Sequence, residues 1–117
     1  ASGATRQDID FVLAGLDLAD LFQVIVSADD VARSKPDPQT YSQAVRKLAK
    51  IHTERNLKAD QCLAIEDTAV GLASAQDAGL ITLGLASTGS ASDLGHADRV
   101  VETLVGLTVE QLRAWAD

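Results

Sequence analysis

Residues 62–80 read CLAIEDTAVGLASAQDAGL: a short apolar run, then the adjacent carboxylates Glu66 and Asp67, then small residues up to Gly79. The run Cys62–Glu66 predicts a buried strand. Thr68 or Asp67 predicts the cap of a helix that starts immediately after it, and Gly79 closes that helix. Two anions side by side repel, and partial burial raises the pKa of at least one unless a positive charge sits between them. A strand that ends this way asks for a cation at its tip, or for full exposure to water.

Upstream, TRQDIDFVLAGLDLADLF places Ile9, Val12, Leu13 and Leu16 on one helical face, with Thr5 and Asp8 as a capping box and Gly15 as the stop. Phe22–Ser27 (FQVIVS) is a β-branched run that predicts a second buried strand. ADDVARSKPDP predicts a loop in which Asp29 and Asp30 are exposed charges. Pro36 and Pro38 hold the residues before them extended, and Pro38 suits the first position of a helix capped by Asp37. That helix carries Tyr41, Ala44, Val45, Leu48 and His52 on one side. Beyond Gly79, LITLGLAS predicts a strand, TGSASDLGHAD a loop and RVVETL a short strand. LTVEQLRAWAD predicts a final helix capped by Thr108, with Leu112 and Trp115 facing inward. Strands alternating with helices predict an α/β chain with a mostly parallel sheet and its functional loops at the C-terminal strand ends.

Composition narrows the classes further. A chain of 117 residues is one domain at most, and 46% hydrophobic content makes it globular. The formal net charge of −7 disfavours nucleic acid and anionic membranes as partners. The single Cys62 makes no internal disulfide and reads as a small buried hydrophobe. With no signal peptide, lipidation motif or long apolar span in the sequence, the expected location is the cytoplasm. His52 and His96 have no metal-ligand partners at suitable spacing and read as surface residues; Arg33 reads as exposed.

In a parallel sheet the C-terminal strand ends gather on one edge. That edge would collect Glu66, Asp67 and the loop bearing Lys35. Two acids, a lysine held by the prolines that follow it and a helix N-terminus suit a metal-bound phosphate: Mg²⁺ takes a few carboxylates and fills its octahedron with water and phosphate oxygens. An ammonium and helix N–H groups then neutralise the phosphate.

SKPDPQTY (34–41), followed by LAIEDTAVGLASAQDAGL, resembles the haloacid dehalogenase-like hydrolase superfamily, and within it the β-phosphoglucomutase and phosphoglycolate phosphatase branch. The resemblance extends over nearly the whole chain, to the TVEQLRAWA tail. It implies a Rossmann-like parallel sheet with flanking helices and a Mg²⁺-dependent phosphatase or phosphomutase acting on a small phosphorylated metabolite. It also implies roles residue by residue. Lys35 contacts the transferring phosphoryl group and the nucleophile. Glu66 and Asp67 help hold Mg²⁺, with Asp67 the firmer ligand. Ser2 donates its hydroxyl to phosphate, Gly3 offers a backbone N–H, and Thr68 supports the acidic loop.

One part of the pattern is missing. The family's nucleophile lies in an Asp-x-Asp-Gly-Thr motif at the end of its first strand, ahead of the cap. Here the only Asp-x-Asp is Asp8-Ile9-Asp10, inside an expected helix and without the Gly-Thr. If the family strand order (fifth, fourth, first, second, third) holds, the absent first strand is the sheet's centre, leaving parts that cannot pair directly. Residues 1–117 are therefore expected to be the C-terminal portion of a core domain, without cap and nucleophile and inactive alone, or a chain that self-associates to complete its sheet. Two other readings remain: a non-catalytic α/β interaction or regulatory module, and a receiver-like Mg²⁺ switch, against which the Lys-Pro-x-Pro loop argues.

Overall fold

The computed structural model describes residues 1–87 and 91–116. Along the chain run α1 (Arg6–Leu16), α2 (Gln39–Ile51), β1 (Leu63–Glu66), α3 (Ala69–Asp77), β2 (Ile81–Leu85), β3 (Arg99–Val101) and α4 (Val109–Ala116), joined by short 3₁₀ turns. The strands form one parallel sheet in the order β1-β2-β3. In register, Ile65 lies beside Leu83 and Leu83 beside Arg99. The expected α/β architecture, with helices flanking a parallel sheet, is the one observed.

Local chemistry accounts for the element ends. Thr5 caps α1 by accepting from the Asp8 N–H, and Thr68 caps α3 by accepting from the Gly71 N–H. Asp37 Oδ1 accepts from the Gln39 N–H at 2.9 Å where α2 begins. Gly79 turns the chain out of α3 at φ 84°, a left-handed conformation that costs glycine little. Thr108 and Gln111 exchange bonds across the first turn of α4. Gly15 is not the stop expected for α1: the helix runs past it to Leu16, and Asp17 takes the left-handed cap at φ 54°.

The core sits between α3 and the sheet. Leu72 and Ala75 are fully buried there, and Tyr41 packs with Ala64 and Ala75; Leu83, also fully buried, alternates to the other face of the sheet. Small residues make this possible, because Gly71, Ser74 and Ala75 form the buried face of α3 and let helix and strands approach closely.

The expected strand at 22–27 does not form. Val26 and Ser27 are buried, but the segment joins no ladder of the sheet. Its backbone instead meets the start of the chain, where Ser2 N donates to the Val26 carbonyl and Ala28 N to the Ala4 carbonyl, each at 2.9 Å. A cleft of about 380 Å³ separates it from β1, with Phe22 and Val24 on one wall, Leu63 and Leu80 on another, and Ala44, Val45 and Leu48 of α2 behind. No strand pairs with that edge of β1 among the described residues. The face of α1 expected to point inward is likewise only partly covered: Ile9 and Leu13 are half-buried, Val12 and Leu16 exposed.

Asp29 and Asp30 do more than carry loop charge. Asp29 accepts from the Arg6 N–H at 2.7 Å and Asp30 from the Ser27 N–H at 2.7 Å. Cys62 is half-buried rather than enclosed, and burial together with Asp60 pushes its thiol pKa up. His52 also departs from a bare surface role, bonding Gln23 Oε1 at 2.9 Å. Residues 88–90 of the expected TGSASDLGHAD loop lie outside the described residues; 91–94 form a 3₁₀ turn whose Leu94 is buried.

That loop is tied back by Asp98. Its Oδ2 accepts from both the Thr82 N–H (2.7 Å) and the Thr82 hydroxyl (2.8 Å). These two donors hold the carboxyl below its ordinary value of 3.8. A depressed folded-state pKa means that the carboxylate's contribution is complete above the ordinary value and fades as pH falls through the lower one. Asp98→Asn should therefore destabilise the protein at pH 7 by roughly 1 kcal/mol after solvent screening. Urea unfolding of both proteins should show that difference closing as pH falls below the ordinary carboxylate value of 3.8 and through the lowered one. A pH-independent difference would assign the effect to packing.

Candidate active site

Two loops meet at the C-terminal end of β1. The first carries Lys35. Its Lys35–Pro36 peptide is cis, and Ser74 Oγ of α3 donates to the Asp37 carbonyl at 2.7 Å, fastening the loop to the helix. Arg33 forms an exposed ion pair with Asp37 at 3.6 Å. The second loop is Glu66-Asp67, where β1 ends and the α3 cap begins.

Lys35 Nζ donates to Glu66 Oε1 and, at 3.2 Å, to the Ala1 carbonyl. The pair is largely out of water, with the lysine side chain 14% and the glutamate 10% exposed. The Tyr41 hydroxyl donates to the same Glu66 oxygen at 2.5 Å, and Lys35 Nζ lies 4.8 Å from the Tyr41 ring centroid. The positive charge that the adjacent acids ask for is thus supplied at Glu66 by Lys35. Burial, reinforced by the Glu66 acceptor and its charge, raises the Tyr41 pKa far above its ordinary value.

Asp67 stands differently. Its residue is exposed, and its carboxylate takes part in no hydrogen bond or ion pair among the described residues. Ser2 is half-buried at the start of the chain, its Oγ accepting from the Ala4 N–H at 3.1 Å. The Lys35 bond to Ala1 brings this segment against the Lys35–Glu66 pair. Gly3 is exposed, with open space where a side chain would stand. Asp8 and Asp10 lie exposed in α1, and Asp10 pairs with Arg6.

As donors, Glu66 and Asp67 are hard oxygens of the kind Mg²⁺ takes. Among the described residues no group of three metal-binding side chains assembles, so the pair offers part of an octahedral shell. That fits an ion that keeps water and phosphate oxygens as its remaining ligands.

Tyr41 is the site residue that sequence reading assigned only to the apolar side of α2. The available signal was its place in the first turn of the helix that follows Lys-Pro-Asp-Pro, where a polar tip on a buried ring needs a partner.

Residues 1–85 match the family model for haloacid dehalogenase-like hydrolases. The validoxylamine A 7'-phosphate phosphatase of Streptomyces hygroscopicus subsp. limoneus is 34% identical over 99 residues, 85% of this chain and 43% of that protein. The β-phosphoglucomutase of Bacillus subtilis is 31% identical over 101 residues, 86% of this chain and 40% of that protein. The crystal structure of a HAD hydrolase, family IA, variant 3, from Entamoeba histolytica superposes with a TM-score of 0.81 at 23% identity, covering 97% of this chain and 50% of that one, and so shares its fold. The chain spans under half the length of these two curated relatives. A family match over most of the chain, joined to the Lys35–Glu66 pair at the sheet's C-terminal edge, places this chain in the haloacid dehalogenase-like hydrolase family, in its β-phosphoglucomutase- and phosphatase-like branch.

Proposed function

We propose that the whole protein is a Mg²⁺-dependent phosphatase or phosphomutase for a small phosphorylated metabolite, and that residues 1–117 are the C-terminal portion of its core domain. The observation that carries this reading is the Lys35 ammonium held on Glu66, one residue from the unpartnered Asp67 carboxylate. Phosphoryl transfer is catalysed chiefly by positioning and by stabilising charge on the phosphate oxygens. Lys35 supplies a fixed cation for those oxygens. Ser2 and the Gly3 N–H, on the segment that Lys35 touches, supply neutral donors. Asp67 and Glu66 would hold Mg²⁺, which when bound offsets the repulsion between an attacking carboxylate and the phosphate.

The nucleophile in this reading is an aspartate from a part of the protein other than residues 1–117. Its carboxylate oxygen attacks phosphorus, the ester P–O bond breaks and the alcohol leaves. Water, or a sugar hydroxyl in a mutase, then takes the phosphoryl group from the aspartate. The cleft beside the open edge of β1 is where a strand carrying that aspartate would pair. A second copy of the chain filling the same edge is the self-associated alternative.

The test is phosphate release by the whole protein from a panel of small phosphorylated metabolites, with and without Mg²⁺. Turnover should require the ion, and Asp67→Asn should reduce it by about a hundredfold. Unchanged turnover in that variant removes Asp67 from the site.

A further inference from the structure

We infer that Tyr41 is a positioning residue, whose hydroxyl together with the bare backbone of Gly71 holds the Glu66 carboxylate in one pose for divalent-cation binding. The inference rests on the metal reading just proposed and extends it to residues that do not themselves touch the ion. A lysine alone is a poor clamp for a carboxylate, since its ammonium is a point charge on a flexible stem that allows the partner to rotate. Tyr41 supplies a second donor from a rigid ring. Tyr41 as a residue is 7% exposed and packs against Ala64 and Ala75, so its hydroxyl has little freedom to follow a moving glutamate. Lys35 and Tyr41 converge on the same oxygen, Oε1, while no hydrogen bond reaches Oε2 among the described residues.

Gly71 closes the cradle from the first turn of α3. A Cβ built at that position would overlap the Glu66 carboxylate, with Oε2 the nearest atom. Any larger residue would push the carboxylate off its two donors.

Two measurements on the whole protein test the inference. The first is a double-mutant cycle of Tyr41→Phe and Glu66→Gln by urea unfolding without metal. The two effects on the unfolding equilibrium constant should be non-additive by roughly threefold or more, because the hydroxyl acts on that carboxylate. The second is calorimetric titration with Mg²⁺ alone. Tyr41→Phe should raise the Mg²⁺ dissociation constant about tenfold, the usual scale for losing a partner of a metal-binding carboxylate. A residue that merely fills space would alter unfolding and leave Mg²⁺ affinity untouched.

An additive cycle overturns the inference and leaves the phosphatase reading standing. So does a non-additive cycle with equal Mg²⁺ affinity in wild type and variant. A wild-type protein that binds no Mg²⁺ marks the failure of the metal reading itself, and takes the inference with it.

Discussion

Lys35→Ala in the whole protein should lower kcat for phosphate release by about a thousandfold, roughly 4 kcal/mol of transition-state stabilisation. The lysine is held within hydrogen-bonding distance of Glu66 and of the Ala1 carbonyl, and its side chain is largely shielded from water. Charge that is already oriented and partly desolvated acts on a developing phosphoryl charge without reorganisation, which is why one such donor is worth so much. The same substitution leaves Glu66, 10% exposed, with Tyr41 as its one remaining donor among the described residues. Stability should therefore fall by about 3 kcal/mol, the cost of stripping the partner from a buried carboxylate. Lys35→Arg separates the two effects. It keeps the positive charge and most of the stability, but its planar fork presents donors in different places, so kcat should still drop more than about tenfold. Steady-state kinetics corrected for the folded fraction reads both variants. A folded Lys35→Ala protein with kcat within a few-fold of wild type would remove Lys35 from the reaction.

How much of this was legible beforehand depended on how local the cause is. The strand–acid–helix passage at 62–80 could be read because its signals are contained in it: an apolar run, a threonine that caps, small residues and a closing glycine. The Lys-Pro-Asp-Pro loop was readable for the same reason, since prolines and a capping aspartate act on their neighbours. FQVIVS has the composition of a buried strand, yet a strand exists only where another backbone completes the ladder, and none does so among the described residues. Ile65 tells the same story from the sheet: it belongs to an apolar run but is 40% exposed, because it sits on β1, whose outer edge pairs with no strand among the described residues. Asp98 and Tyr41 were missed because their partners, Thr82 and Glu66, are distant in sequence. A pairing of that kind leaves no periodic trace. Gly15 failed as a stop because Asp17 also tolerates the left-handed conformation and sits where the helix actually ends.

Leu83→Ala should cost about 3 kcal/mol in urea unfolding, the scale of a leucine truncated in a well-packed core. Leu83 is fully buried in the middle strand, with Ile65 on one side and Arg99 on the other in register. Cutting it back removes its transfer free energy and leaves a cavity that backbone-paired strands cannot collapse to fill. Ile65→Ala is the comparison, because Ile65 lies beside Leu83 on the neighbouring strand and is substantially exposed. In a protein of residues 1–117 alone, its truncation should cost under about 1 kcal/mol. If the open edge and face of β1 are covered by another strand and its helices in the whole protein, the Ile65 penalty there should rise toward that of Leu83. Leu83→Ala should change little between the two, since its surroundings lie within residues 1–117. Equal Ile65 penalties in both would show that nothing packs on β1, and the strand proposed to carry the nucleophile would have to sit elsewhere.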